Sequence, residues 1–432
     1  MDSRIVRNGY RAAHSPYKIG KYIQRKLYKT VFGSIYSPIL TREDIKTYSH
    51  GRYDEYDKPE KYNISVEKKN DADVVKEAIN RWSDYLPNNR IIGDLSEGEV
   101  SAEHSYTVHN HAPFVASIKN AVVYSPYGLI RTQDDKFPTE IRGSSESWAK
   151  DLFARSLQDW GIIQTIYTTR NENESATDHV DVAATMLNAR SVPDRMAYGH
   201  WLLEAIPKLR GIKEYAERYD KHPIIFVDPH IAEWQRKLIL ASGIDRKHLV
   251  QWNNGPTRVD EFVIPKWGKN EYCKSDLEWV SKNIKKNIDY EKYKGNFSTH
   301  IYLTRENFDS RNIVNRTGII SLLKEYGFEK RDPSKMSIQE QVALFEQGDI
   351  FIGPNGSAFA NMIFSPGATT IQIYPPEFLK MRLYEVNCIM GHQTNILLGD
   401  EKTSGHGHNA NFTISTDKIE ELLLELDSNN KQ

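Results

Sequence analysis

Residues able to do chemistry gather at four places in the chain. In the first, Glu204 follows His200 by one helical turn, a spacing that puts imidazole and carboxylate on one face. Histidine suits general-base work because its proton affinity lies near neutral pH, and Glu204 can orient the ring or act as base itself. In the second, Arg305 stands just past the apolar run Ile301-Tyr302-Leu303, with Arg311 further along. A guanidinium beyond a strand end can fork onto phosphate oxygens. The third is Gly353-Pro354-Asn355-Gly356-Ser357-Ala358-Phe359-Ala360-Asn361, which follows the apolar run Ile350-Phe351-Ile352. Strand, glycine turn and helix start together present free N–H groups and a positive dipole end to an anion. Gly356 lets the backbone approach a ligand, and Ser357 can cap the helix while donating its hydroxyl. The fourth is Glu377 in Tyr374-Pro375-Pro376-Glu377, able to accept hydrogen bonds from ribose or sugar hydroxyls. Each has a plain structural alternative: a core histidine beside Trp201, a paired carboxylate, surface arginines in ion pairs, and ordinary turns.

The pattern around these residues is that of alternating strands and helices. Residues 198–215 have helical spacing, with a kink or late start at Pro207. The strand 223–227, the helix 232–242 closed by Gly243 and the strand 262–265 make one α/β layer. Strands at 301–303, 328–330, 350–352 and 370–373, with helices at about 315–326 and 338–347 and a terminal helix at 419–426, make a second. Asn253-Asn254-Gly255-Pro256 is the expected linker. Ligands of such layers sit beyond the carboxyl ends of the strands, where the glycine loop falls. Apolar runs at 114–118, 121–124 and 180–187 read as further strands, and the first ~90 residues give no clear pattern.

Composition bounds the possibilities. The chain has 432 residues, enough for two domains with their own cores. Its 39% apolar and 27% charged content is that of a folded soluble protein, and a net charge of −1 gives no general field for nucleic acid. The cysteines Cys273 and Cys388 make no disulfide framework and suit a reducing compartment; without a signal peptide or a membrane-length apolar run, the expected location is the cytoplasm. Residues 1–35 carry a basic amphipathic helix pattern that can lie on an anionic membrane face or pack as a solvated helix. His109 and His111 alternate on a strand with no third metal ligand at useful spacing, and His406 and His408 lie in a flexible-loop pattern.

Three segments together resemble glycosyltransferase family 61. Tyr198-Gly199-His200-Trp201 through Leu209 is similar to its histidine-tryptophan segment. Leu303-Thr304-Arg305 followed by Arg311-Asn312-Ile313-Val314-Asn315 is similar to its arginine segment. The loop Gly353–Asn361 is similar to its Gly-Pro-His-Gly-Ala…Asn loop. Order and spacing agree across roughly residues 180–415. The resemblance implies an α/β protein of GT-B type, two Rossmann-like domains facing across a cleft. It also implies inverting, metal-independent transfer from a nucleotide-diphosphate sugar, with a UDP-sugar the expected donor and no cofactor. On that reading residues 1–50 form a basic N-terminal segment, 51–253 the acceptor-side domain, 254–415 the nucleotide-sugar domain and 416–432 a terminal helix and tail. His200 and Glu204 are the expected catalytic residues. Arg305, Arg311, Asn355, Gly356, Ser357, Asn361 and Glu377 are the expected donor ligands. The acceptor is a glycan or lipid-linked glycan of polysaccharide biosynthesis, with peripheral membrane contact through residues 1–35 and no nucleic acid. Two departures stand out: Asn355 replaces the family's loop histidine, and Arg316 its glutamate. They motivate an alternative, a non-catalytic nucleotide-sugar- or glycan-binding scaffold.

Overall fold

The computed structural model describes residues 39–40, 45–46, 52–66, 104–123, 128–134, 136–138, 178–187, 197–252, 255–266, 271–376, 379, 381–405 and 409–430. The basic segment 1–35, Glu377 and the histidines 406 and 408 lie outside them.

The fold is mixed α/β. The first sheet is built from β1 (Tyr53–Glu55), β4 (Phe114–Val123), β5 (Ile130–Arg131), β6 (Asp178–Thr185), β7 (Ile224–Val227), β8 (Leu249–Gln251) and β9 (Thr257–Pro265). Its order is β8-β7-β6-β9-β4-β1, with β5 paired to β4. The β8, β7, β6 and β9 strands run parallel, whereas β4 is antiparallel to β9 and to β1. A separate antiparallel hairpin joins β2 (Glu60–Val66) to β3 (His104–Asn110).

The second sheet is wholly parallel: β10 (His300–Leu303), β11 (Glu329–Arg331), β12 (Ile350–Pro354), β13 (Thr369–Tyr374) and β14 (Gln393–Leu398). Its spatial order is β11-β10-β12-β13-β14. The chain therefore winds outward in opposite directions from β10 and β12. The gap between their carboxyl ends is a topological switch point, where open α/β sheets take their ligands. Gly353 is required by this pairing, since a Cβ there would lie 2.3 Å from the Leu303 carbonyl oxygen. Gly353→Ala should cost about 1–3 kcal/mol of stability through forced separation of β10 and β12. Gly367→Ala, with nothing within 4 Å, is its control in a thermal melt.

Seven helices matter here: α1 (Lys208–Tyr219), α2 (Glu233–Ala241), α3 (Lys274–Asn287), α4 (Arg316–Glu325), α5 (Ile338–Gln347), α6 (Met381–Ile389) and α7 (Thr416–Asn430). The expected break at Pro207 is present: a helical turn at Tyr198–His200 passes into a π-wound segment, Trp201–Ala205, and α1 starts after Pro207. One apolar cluster runs through both layers, joining Ile225 and Val263 of the first sheet to Leu303 and Phe351 of the second through Trp201, Leu277 and Phe359. The β2–β3 hairpin packs Ile64 and Val108 against Met381 and Tyr384 of α6, which fixes that helix beside the second sheet. Although β9 begins after the expected boundary at 253/254, it is a central strand of the first sheet. Of the expected linker, Asn253 and Asn254 lie outside the described residues.

Candidate active site

Beyond β10, Thr304 ties its N–H to the Arg331 carbonyl at 2.9 Å, and Arg305 then turns over the switch point. Its guanidinium occupies the place that a side chain on residue 356 would take: a Cβ on Gly356 would lie 2.1 Å from Arg305 Nη1. Gly356 has an extended backbone (φ −175°), so glycine is needed here for room rather than for conformation. The Arg305 Cζ lies 4.7 Å from the centroid of the Phe308 ring, itself 44% exposed. No ion pair reaches Arg305 among the described residues, and its Nε has no hydrogen-bond partner. Burial, with Arg311 adding like-charge repulsion and Asp332 opposing, pushes the Arg305 pKa down to about 9.

Arg311 adopts the left-handed region (φ 60°) and donates from Nη1 to the Asn355 carbonyl at 3.3 Å. Its Nε is likewise unpartnered. Burial first, and the charge of Arg382 second, lower its pKa. Two partly buried cations with no ion pair among the described residues, Asp332 acting on Arg305 only from a distance, form a site suited to an anion.

The loop residues divide by role. Ser357 opens a 3₁₀ helix, Ser357–Phe364, whose N-cap is Gly356; the expected serine cap does not form, and Ser357 remains half-buried at the helix start. Asn355 is buried, donating its amide to Gln372 Oε1 (2.7 Å) and Tyr374 Oη (2.9 Å), so it supports the loop from beneath. Asn361 is fully buried. It donates to Gln341 of α5 at 2.9 Å and accepts from the Tyr198 hydroxyl at 2.6 Å, pinning the histidine segment to the loop helix. Both asparagine side chains are thus hydrogen-bonded to neighbouring side chains. Asn361→Leu would leave the Tyr198 hydroxyl unpaired and should cost on the order of 2–3 kcal/mol, read as a lowered denaturation midpoint.

Close approach of the histidine segment depends on Gly199, where a Cβ would sit 3.4 Å from Ala360 Cβ and 3.5 Å from Ser357 Cα. His200 is therefore delivered beside the start of the loop helix. Its Nδ1 lies 2.7 Å from Glu204 Oε1. Glu204 is 1% exposed, whereas the His200 side chain is 25% exposed. The same Glu204 oxygen accepts from the Tyr272 hydroxyl (3.2 Å) and from Arg382 Nη1 (3.1 Å). Arg382, on α6, also brings Nη1 to 2.5 Å from His200 Nδ1 and 3.2 Å from Nε2. Burial alone would lower the Arg382 pKa, yet Tyr272 and Glu204 carry it upward.

Six of the expected site residues thus meet around one point: His200, Glu204, Arg305, Arg311, Gly356 and Ser357. Glu377 lies outside the described residues. Arg316, the second departure, is half-exposed at the start of α4 and pairs with Glu306 at 3.6 Å. Tyr272 and Arg382 escape sequence reading because nothing near them marks chemistry. A separate cleft of about 740 Å³ opens near the other end of the loop helix, between Lys282, Lys286, Tyr290, Ile363 and Pro366. His111 pairs with Glu271 at 3.1 Å.

Residues 198–372 match the family profile described as Glycosyltransferase 61. The match covers 175 of the chain's 432 residues, and over it the chain is similar to glycosyltransferase family 61. No curated protein matches the chain. That family is one of glycosyltransferases, which carry a sugar from a nucleotide-sugar donor to a glycan acceptor. The family 61 segment runs from Tyr198 to Gln372 and so contains the His200–Glu204 pair, both arginines and the loop, but ends before Arg382. Among the described residues no helix is long and apolar enough to cross a membrane.

Proposed function

We propose that the protein is an inverting, metal-independent glycosyltransferase using a UDP-sugar donor, with the two α/β layers arranged as a GT-B enzyme. The observation that carries this reading is the pair Arg305 and Arg311 at the switch point of a parallel sheet, their Nε groups unpartnered, beside a loop-helix N-terminus. A leaving diphosphate needs cationic and N–H donors, and these residues supply both. The second sheet is then the donor side, and the layer ending at Pro265 the acceptor side.

In the reaction, the acceptor hydroxyl oxygen bonds to the anomeric carbon as the bond from that carbon to the phosphate oxygen breaks. The hydroxyl proton passes to His200, and the electron pair of the broken bond leaves on the nucleoside diphosphate. His200 fits this task better than Glu204 because only its ring is accessible. Glu204, an acceptor only when ionised, and Arg382, a donor only, both reach Nδ1 and hold the ring between them. Glu204 is thereby a positioning residue. The non-catalytic alternative draws on Asn355 and Arg316. The first is a buried support of the loop and the second a surface ion pair, so neither subtracts a group from the histidine–arginine site.

Incubation with a panel of nucleotide-sugars and glycan acceptors in EDTA, followed by proton NMR of the product, tests the reading. Acceptor-dependent transfer with inverted anomeric configuration is expected. Retained configuration, or transfer that requires a divalent ion, refutes the corresponding part. Contact of residues 1–35 with anionic membrane remains part of the proposal; equal flotation of full-length and truncated protein on anionic liposomes would remove it.

A further inference from the structure

The turn after β10 carries an aromatic ring as well as a cation. Phe308 closes it, its N–H donating to the Arg305 carbonyl at 3.0 Å. The Phe308 carbonyl accepts from the Asn312 side-chain amide. The Asn312 backbone N–H in turn donates to Asn411 Oδ1 at 2.9 Å, which ties the turn to the strand Asn411–Thr413. Asn307, in the same turn, donates to Asp332. The backbone that presents the ring is thus held at several points, and the Arg305 guanidinium lies over the ring. Phe308 nevertheless stays 44% exposed. A lone exposed phenylalanine needs no explanation of its own. This one is fixed beside an arginine whose Nε is unpartnered, at the switch point of a parallel sheet, so it offers a π-face next to an anion site.

The site also has a direction. His200 and Arg382 are in contact at one end. Arg311 comes next, close enough to Arg382 for that charge to act on it, and donates to the Asn355 carbonyl. Arg305 follows, acted on by the charge of Arg311 and filling the space beside Gly356, with Phe308 under its guanidinium. A nucleotide-sugar has a matching succession of anomeric carbon, two phosphates, ribose and base. With the reacting carbon at His200 and the phosphates on the arginines, the base falls at the Phe308 end. We propose that Phe308 is the stacking platform for the donor's nucleobase, a binding residue that makes the arginine site prefer a nucleotide to a bare phosphate anion. The inference rests on the diphosphate reading above and adds the end at which the nucleoside sits. Every base has a π-face, so Phe308 selects for a nucleoside without selecting which one.

The test is calorimetric titration of wild type, Phe308→Ala and Phe308→Tyr with UDP and with inorganic pyrophosphate, in EDTA. Wild type should bind UDP more tightly than pyrophosphate. Phe308→Ala should weaken UDP by about 10–100-fold, the usual contribution of one stacked base, and pyrophosphate by no more than about threefold. Phe308→Tyr keeps the ring and should keep UDP affinity. Pyrophosphate is the control for Arg305: a ring that only props the guanidinium would weaken both ligands together in Phe308→Ala, and that result overturns the inference. UDP affinity unchanged in Phe308→Ala, lost in Phe308→Tyr, or no better than pyrophosphate in wild type overturns it as well. If Phe308→Ala does not fold, or pyrophosphate binds too weakly to measure, wild type decides alone. Irradiated with the iodouracil analogue of UDP, it should carry a covalent adduct on Phe308 by peptide mass spectrometry, and absence of that adduct overturns the inference. Failure of wild type to bind either ligand removes the diphosphate reading itself, whereas the other adverse results remove only the role of Phe308.

Discussion

Arg305→Met should weaken nucleoside diphosphate binding by on the order of 10²–10³-fold while the protein melts no lower than wild type. Each charge-assisted bond to phosphate contributes about 1.5–3 kcal/mol, and a forked pair accounts for a loss of that size. The unchanged stability follows from linkage. The Arg305 pKa, about 9 in the folded protein, lies below its ordinary value, so the folded state binds fewer protons than the unfolded state between the two. Stability from this group therefore rises with pH above about 9. Below about 9 the folded state bears the whole cost of the buried charge. Removing that charge at pH 7.5 relieves the cost, so lost binding cannot be ascribed to unfolding. Gly356→Ala makes the complementary case. Its Cβ claims the space of Arg305 Nη1, so the guanidinium is kept in the chain but displaced from the switch point. Equal affinity of wild type and either variant for UDP, measured by calorimetry, would count against the assignment of Arg305.

His200→Gln should lower the rate of transfer by about 10²–10⁴-fold, the usual contribution of a positioned general base, with UDP affinity little changed. Glutamine preserves a hydrogen-bonding side chain of similar reach but takes no proton at neutral pH. Steady-state rates at saturating donor separate the two effects, since a purely structural defect would raise the donor KM as well. Glu204→Gln should fall between wild type and His200→Gln, because it weakens the orienting contact at Nδ1 without removing the imidazole. Full activity of His200→Gln would make another group the base.

Much of this site is legible in the chain because its parts sit where local chemistry is loud. The strand preceding Arg305 and the glycine loop after β12 carry short apolar runs followed by abrupt turns, and parallel strands buried on both faces must read that way. His200 and Glu204 are legible because helical spacing alone brings them together, and π winding does not part them. Other features depend on partners that no local pattern reveals. Gly356 looks like a backbone-approach glycine, yet it makes room for an arginine some fifty residues earlier. Asn355 and Asn361 stand in the loop like ligands, but their amides are committed to Gln372, Tyr374, Gln341 and Tyr198, neighbours only after the sheet is assembled. Arg382 follows a proline turn on an unremarkable helix, and its contact with His200 spans 182 residues of chain.

The most direct test of the central claim is thermal stabilisation by UDP and other nucleoside diphosphates in EDTA, for wild type and for Arg305→Met. A ligand at 100 times its Kd adds about 2.7 kcal/mol to the native state, a readily measured rise in melting temperature. The account predicts such a rise for wild type with at least one nucleoside diphosphate, preserved in EDTA and absent from Arg305→Met. No rise with any nucleoside diphosphate, or an equal rise in the variant, would contradict it.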